Sequence, residues 1–327
     1  MELTINPTDY RPRLIIWEIA CSCLEGNSSI KKFNTKECFT IMDSIAEISK
    51  PIIVLASNYS ENSKCDPLDR ADIVDILLYG NSLGLKMIVE TSGEKLTPDL
   101  RSVLKTIGTK CIRILINDHI KEDIESKFVQ NEKFNKLDNL INQLKSEGFE
   151  IQLGIVLNSF NERELLFIVD YAVQKSSKGI YFHLQNPKSS SKLKKISYNK
   201  EEAINWIANQ KKLLPDDMYF SPQCIKYGIK HKEDEENGET TNHTTHWCLS
   251  GKTFAYINGK GEVQICNSIK NVCGDLRKTN LSFAQIWYNS EIFNWLRYNN
   301  FSCTETQISL TRPIPKSSES KEIYENI

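Results

Sequence analysis

No stretch of the 327-residue sequence carries the roughly 18 consecutive apolar residues that a membrane-spanning helix needs. An excess of one charge is also lacking, because 41 Lys and Arg stand against 42 Asp and Glu, for a formal net charge of −1. This balance argues against a nucleic-acid surface and against electrostatic attachment to a membrane, so neither partner is expected. The N-terminus lacks an apolar signal segment, and we expect a cytoplasmic protein in a reducing compartment.

Phosphate-binding motifs are lacking too. Neither Gly-x-Gly-x-x-Gly nor a Walker sequence occurs, so nothing supports a dinucleotide or nucleoside triphosphate site. Cysteine, in contrast, is plentiful, with ten residues in the chain. Because disulfides are not expected in a reducing compartment, these cysteines are buried thiols, ligands of a metal or cluster, or redox groups.

Strand and helix patterns alternate through about the first 200 residues. Six short apolar segments resemble strands buried on both faces, and amphipathic helical patterns separate them. The six segments are 14–19, 52–56, 85–91, 111–116, 151–157 and 179–184. This alternation predicts an α/β fold with a parallel sheet or partial barrel and right-handed crossovers.

The pattern changes after this region. Residues 198–214 suggest a helix, and 231–245 suggest a polar, mobile excursion. The Asn258-Gly259 pair predicts a hairpin between strands at 254–257 and 262–265, and a helix is expected over 282–297. The predicted divisions are a strand-helix domain at 1–200, a helix and polar linker at 201–246, a hairpin-and-helix module at 247–310 and a flexible tail at 311–327.

Cysteines of the C-terminal third have a spacing that suits a metal site. Cys248 is followed by twelve residues, Gly261, four residues and Cys266, while Cys224 lies upstream and Cys303 downstream. Four thiolates from separate segments suit a cubane iron–sulfur cluster. The alternatives are zinc, with His243 or His246 joining three of these cysteines, and packing thiols without metal. Spacing alone leaves all three open.

Several motifs resemble the SPASM or twitch module that follows the radical S-adenosylmethionine (SAM) fold in peptide-modifying enzymes. The matching segments are Cys248-Leu-Ser-Gly, Tyr256-Ile-Asn-Gly-Lys-Gly261, Val263-Gln-Ile-Cys266, Gly274-Asp-Leu and Ile286-Trp287. The family's Cys…Gly…Cys spacing is met. The resemblance implies a single auxiliary [4Fe–4S] cluster, with zinc as the minor alternative. Its ligands would be Cys224, Cys248, Cys266 and Cys303.

The N-terminal two-thirds resembles the same family in layout. Thr91-Ser92-Gly93 is similar to the family's Thr-Asn-Gly segment, and the resemblance spans about residues 10–305. It implies a partial (β/α)6 barrel with its active face at the carboxyl ends of the strands. Cys23, Thr91 and Gly93 would then be the remnant of the SAM and cluster site.

The sequence departs from the family at two places. The family's Cys-x3-Cys-x2-Cys motif follows the first strand, and here Cys23 is followed by Asn27 and Ile30 at the next two cysteine positions. The family's Gly-Gly-Glu-Pro segment follows the second strand and holds the SAM amino group, whereas this chain reads Ala56-Ser-Asn-Tyr-Ser60. Both departures imply a degenerate site and argue against SAM binding.

Three further features of the sequence lead to expectations. Arg113 lies inside a strand pattern and is expected to pair with a carboxylate in the barrel lumen. His183 ends a predicted strand, where it either touches a ligand or is a satisfied buried histidine. Asp66-Pro67 marks a turn and resembles nothing specific.

The family resemblance implies a role in the modification of ribosomally made peptides, similar to the SPASM-domain maturases of grasp-with-spasm systems. The leading hypothesis is a degenerate protein that binds or presents a precursor peptide, with an ATP-grasp ligase or another maturation enzyme as partner. A second hypothesis is an active iron–sulfur and SAM-dependent peptide-modifying enzyme with a non-standard site. A third is a metal-free scaffold pseudoenzyme. No residue receives a catalytic role from the sequence.

Overall fold

The computed structural model describes residues 9–20, 32–57, 66–116, 132–157, 162–184, 199–222, 224–233, 240–303 and 305–306. Parallel strands follow one another in chain order across the first two-thirds of the molecule, and helices connect them. The strands are β1 (Leu14–Ala20), β2 (Ile52–Ser57), β3 (Lys86–Thr91), β4 (Cys111–Ile116), β5 (Glu150–Leu157), β6 (Gly179–Leu184) and β7 (Tyr219–Pro222). The helices are α1 (Thr35–Ile48), α2 (Ile73–Ser82), α3 (Pro98–Thr106), α4 (Glu132–Ser146), α5 (Glu162–Gln174) and α6 (Lys200–Lys211). The predicted α/β fold is confirmed.

Local sequence signals explain where these helices begin. Asn34 caps α1 through a capping box, in which its side chain accepts from the Glu37 amide at 3.0 Å and the Glu37 carboxylate accepts from the Asn34 amide at 2.7 Å. Thr97 caps α3 in front of Pro98, whose missing N–H costs nothing in a first turn. The apolar faces of the helices then cover the sheet, which is buried on both sides.

The C-terminal third forms two smaller β units and a helix pair. A two-stranded antiparallel sheet pairs β8 (Ile225–Glu233) with β9 (Thr240–Cys248). The remaining elements are β10 (Phe254–Ile257), β11 (Glu262–Gln264), β12 (Val272–Asp275), α7 (Phe283–Asn289) and α8 (Glu291–Tyr298). The predicted hairpin is confirmed as β10 and β11, while the helix predicted over 282–297 is divided at Ser290.

The polar excursion predicted at 231–245 is not what the structure shows. Residues 231–233 and 240–245 belong to β8 and β9, and 234–239 lie outside the described residues, as do 311–327. The segment is polar but rich in threonine, and a β-branched side chain favours extended backbone whatever its polarity. Low hydrophobicity was therefore a poor guide to this region.

The hairpin joins the barrel sheet directly. Strand β10 pairs in parallel with β1, with Leu14 opposite Phe254 and Trp17 opposite Ile257. The sheet thus has ten strands in the order β12-β11-β10-β1-β2-β3-β4-β5-β6-β7. The division into separate units at 1–200 and 247–310 stays a prediction, since one sheet runs through both.

Glu18 on β1 fixes the hairpin turn to the barrel. Its buried carboxylate accepts from the Gly259 amide at 2.8 Å and from the Tyr256 hydroxyl. Burial raises the pKa of Glu18, although both hydrogen bonds oppose this change. Gly261 completes the turn with φ +89°, and a Cβ there would lie 2.5 Å from the Phe33 ring. The glycine of the Cys…Gly…Cys spacing is thus required by both backbone and packing.

No helix within the described ranges is both long enough and apolar enough to cross a membrane.

Candidate functional site

A buried polar network crosses the interior of the sheet from β3 to β6. Arg113 on β4 places a guanidinium nitrogen 3.4 Å from the Glu90 carboxylate, and its other nitrogens donate to Gln152 at 2.9 and 3.1 Å. His183 Nε2 lies 2.8 Å from the same oxygen of Glu90. The guanidinium also stacks 3.8 Å from the centre of the Tyr181 ring. The prediction that Arg113 pairs with a carboxylate is confirmed.

Gly154 on β5 makes room for this network. A Cβ at this position would lie 3.0 Å from the Glu90 carboxylate, 3.3 Å from Arg113 Cδ and 3.4 Å from His183 Nε2. These contacts are tighter than side chains normally make. The missing side chain therefore lets residues of three other strands meet inside the sheet, and we call Glu90, Arg113, Gln152 and His183 the lumen network.

The turn after β3 holds two of the residues expected in the remnant site. Thr91 donates its hydroxyl to Asp66 at 2.8 Å and accepts from the Gly93 amide at 3.0 Å. Gly93 has φ +88°, and a Cβ there would lie 2.5 Å from Leu140. The structure thus brings Thr91 and Gly93 together at the carboxyl end of β3. The third expected residue, Cys23, lies outside the described residues.

Asp66 is a site residue that sequence reasoning missed. Its carboxylate accepts from the Thr91 hydroxyl and from the Ser92 amide at 2.9 Å, and Pro67 begins a short 3₁₀ turn. Of the segment 56–60, where the Gly-Gly-Glu-Pro counterpart was sought, the structure describes only Ala56 and Ser57, which end β2. An acidic residue followed by proline does occur after β2, as Asp66-Pro67, and that dipeptide was the available signal.

Cys38 is a packing thiol in this structure. It is fully buried on α1, and its sulfur lies 4.0 Å from the Phe33 carbonyl and 4.0 Å from Arg70. Burial raises its pKa to about 12, against a smaller opposing effect of Arg70. A thiol held in its protonated form is a poor nucleophile.

Four cysteines of the C-terminal third come together, and we call this group the thiol pocket. It consists of Cys224, Cys248, Cys266 and Cys303, of which the first is half-buried and the others are buried. Backbone hydrogen bonds join their segments, because the Cys248 amide donates to the Phe301 carbonyl and the Leu249 amide to the Cys224 carbonyl, both at 2.9 Å. The structure thus places all four predicted ligands in one region.

A small cavity of about 20 Å³ adjoins the thiol pocket and reaches the lumen network. Cys224, Cys266 and Cys303 line one side of it, together with Lys200, and His183 lines it from β6. Its other lining residues are Ile16, Phe182, Leu184, Phe254, Tyr256, Asn267 and Ser268. The walls are mostly apolar, and their polar groups lie beside the cysteines and at His183.

The thiols influence one another electrostatically. A hydrogen bond between Cys224 and Cys266 raises the pKa of Cys224 and lowers that of Cys266, and burial adds to the first change and opposes the second. Lys200 and the Ile269 amide, which donates to the Cys266 sulfur at 3.2 Å, also lower the pKa of Cys266. Burial raises the pKa of Cys248 to about 12. Cys266 is therefore the thiol of this group that most readily becomes a thiolate.

The donor set fits a cluster better than a single zinc ion. Zinc needs four donors about 2.3 Å or less from one point. In the part of the chain that the structure describes, no three His, Cys, Asp or Glu side chains are grouped so that they could hold a metal ion. A cubane cluster takes one thiolate at each of four irons, so its ligands need not converge on a point. The side chain of His243 lies outside the description, and buried His246 leaves its Nε2 without a hydrogen-bond partner among the described residues.

Two curated proteins align with most of the chain. An AdoMet-dependent heme synthase of Methanosarcina barkeri is 23% identical over 305 residues, and the alignment covers 88% of this chain and 85% of that protein. An AdoMet-dependent heme synthase of Nitratidesulfovibrio vulgaris is 23% identical over 333 residues, covering 89% and 86%. No family model matches the chain.

Solved structures share the fold. Streptococcus suis SuiB, bound to precursor peptide SuiA, superimposes with a TM-score of 0.57 at 13% identity, covering 89% of this chain and 68% of SuiB. The chain has a radical SAM/SPASM-like fold. The structure of anSMEcpe with bound AdoMet gives a TM-score of 0.50 at 12% identity, covering 86% of this chain and 81% of anSMEcpe. Radical SAM proteins in general carry iron–sulfur clusters and bind SAM.

Proposed function

We propose that this radical SAM/SPASM-like chain is a degenerate member of its class that binds or presents a precursor peptide and carries one auxiliary [4Fe–4S] cluster. Cys224, Cys248, Cys266 and Cys303 would hold that cluster. The observation that carries the proposal is the meeting of these four cysteines, from four separate segments, beside a small and mostly apolar cavity. When bound, such a cluster supplies one-electron transfer.

The surrounding residues suit this role. Ile16, Phe182 and Phe254 present apolar walls to the cavity, which would exclude water from a cluster. The Ile269 amide donates to Cys266, and hydrogen bonds to ligand sulfurs are a general means of tuning cluster potentials. Packing thiols would need neither the cavity nor the donors directed at sulfur.

Two observations support the binding of a peptide, namely an open sheet edge and one structural neighbour. Strand β7 ends the ten-stranded sheet and pairs only with β6 among the described residues, so its outer edge offers backbone groups to an extended peptide. Only part of that edge can donate, because Pro222 has no amide N–H. SuiB, which has the same fold, is bound to a precursor peptide. An ATP-grasp ligase or another maturation enzyme is proposed as the partner that receives the peptide.

A second candidate is a SAM-dependent enzyme with a non-standard site. The observation in its favour is Asp66-Pro67, since the acidic residue of this dipeptide after β2 accepts hydrogen bonds from Thr91 and Ser92. The two heme synthases among the relatives suggest a tetrapyrrole as an alternative substrate class for this candidate. The degenerate protein remains the first proposal because Asn27 and Ile30 replace two cluster ligands.

Iron, sulfide and zinc content of anaerobically purified protein tests the proposal. About four irons per chain that disappear in Cys266→Ala but persist in Cys38→Ala would support the auxiliary cluster. Iron that persists in Cys266→Ala and disappears in Cys23→Ala would favour the second candidate. Protein that takes up no iron on anaerobic reconstitution would leave the metal-free scaffold.

Binding measurements separate the substrate classes. Titration with labelled precursor peptides, and with an iron porphyrin as the competing class, reports which of the two the protein takes. Tight binding of the porphyrin and none of any peptide would contradict the peptide proposal.

A further inference from the structure

One lysine lies among the sulfurs of the thiol pocket. Lys200 Nζ donates to the Ser268 hydroxyl at 2.7 Å and also hydrogen-bonds to the Cys303 thiol. The same side chain lines the cavity next to Cys224 and Cys266. Its charged end is therefore directed at the proposed ligands rather than at bulk solvent.

Local structure sets the position of this lysine. Asn199 caps α6 by accepting from the amides of Glu201 at 3.0 Å and Glu202 at 3.3 Å, so the helix begins at Lys200. Ser268 lies two residues after Cys266, in the loop that also directs the Ile269 amide at the Cys266 sulfur. The helix start and the loop together hold the ammonium group against the thiols.

Among the described residues, no carboxylate forms an ion pair with Lys200. In the described ranges Lys200 forms no ion pair, and the neighbouring Glu201 and Glu202 are exposed. Lys200 is half-buried, and even partial desolvation of an ammonium group costs free energy unless a partner compensates for it. A Cys266 thiolate repays part of this cost, and the net negative charge of a bound cluster would repay more of it.

We propose that Lys200 is a positioning residue whose fixed positive charge raises the reduction potential of the cluster in the thiol pocket. This inference rests on the proposed cluster. Reduction adds one electron, and a cation within hydrogen-bond distance of a ligand sulfur stabilises the more negative state. Ser268 keeps the ammonium group in place, so its loss should act in the same direction with a smaller effect.

A redox titration with dithionite, followed by the electron paramagnetic resonance of the reduced cluster, tests the inference. Lys200→Met removes the charge and keeps most of the side-chain length. At a fixed solution potential it should lower the ratio of reduced to oxidised cluster at least tenfold, which is 59 mV for one electron. Lys200→Arg should restore the wild-type ratio. Lys212→Met, at the exposed carboxyl end of α6, is the matched control and should change nothing.

Each outcome bears on the proposal in a different way. A Lys200→Met protein with full iron content and an unchanged potential would overturn the role of Lys200 and leave the cluster in place. Equal shifts in Lys200→Met and Lys200→Arg would also overturn it, since packing rather than charge would then be responsible. If the Lys200→Met protein loses its iron, the titration is done with Lys200→Gln, because the amide keeps a donor for Cys303 without the charge. A wild-type chain without iron would overturn the cluster itself and, with it, this inference.

Discussion

The lumen network and the thiol pocket both hold charged groups at least partly away from water, but they balance those charges differently. In the lumen network Glu90 contacts both Arg113, at 3.4 Å, and His183, at 2.8 Å, so acid and base face each other. In the thiol pocket Lys200 faces Ser268 and Cys303 and has no carboxylate partner among the described residues. The charged groups of the first region contact one another, whereas the cation of the second contacts thiols and, in our proposal, an anionic cluster.

Removing the cation from each region should give the largest difference in stability between them. Arg113→Met leaves the buried Glu90 carboxylate without its guanidinium partner and should cost about 3–5 kcal/mol of unfolding free energy. Lys200→Met in metal-free protein should cost less than about 1 kcal/mol, because no carboxylate depends on it. Urea unfolding of both variants measures the difference. Equal losses would show that the two regions balance charge in the same way.

Crowding the lumen should have the next largest effect. Gly154→Ala brings a methyl group to 3.0 Å from the Glu90 carboxylate and 3.4 Å from His183, and we expect a loss of about 1–3 kcal/mol. Iron content should stay unchanged, since Gly154 does not line the thiol pocket. Thermal unfolding and iron analysis of the same sample report the two effects separately. A loss of iron without a loss of stability would contradict the separation of the regions.

Alkaline pH should destabilise the barrel through Cys38. Burial raises the pKa of this thiol from 9.0 to about 12, so folded and unfolded chains are both protonated below pH 9. Above pH 9 only the unfolded chain loses the proton, and stability should fall by up to about 1.4 kcal/mol per pH unit. Between about pH 8 and pH 11, the free energy of unfolding should therefore fall less steeply with pH for Cys38→Ala than for the wild type. The same pH dependence in both proteins would show that Cys38 does not titrate as its burial implies.

The smallest effect is expected at the joint between the last two helices. Ser290 ends α7 and caps α8, where its side chain accepts from the Phe293 amide at 3.4 Å. Ser290→Ala should cost about 1 kcal/mol, as for other N-caps. Thr97→Ala at the start of α3 is the matched cap in the barrel and should cost a similar amount. A much larger loss at Ser290, measured by urea unfolding, would mean that the joint also supports the thiol pocket.

Local patterns in the sequence predicted much of this protein. Apolar runs between helical patterns predicted the six barrel strands. A strand that is buried on both faces is apolar along its whole length, so it is visible in the sequence. Asn258-Gly259 predicted the hairpin, since the turn conformation is local to those residues. The polar stretch at 231–245 was interpreted wrongly, because threonine-rich strands have no apolar periodicity to detect.

The pairing of distant segments did not follow from the sequence. That Arg113 needs a carboxylate was predictable from the cost of burying a charge, but its partner, Glu90, depends on the order of neighbouring strands. The parallel contact of β10 with β1 and the approach of Lys200 to Cys303 join residues far apart in the chain. Composition and periodicity report which residues are buried, whereas the path of the folded chain decides which buried residues meet.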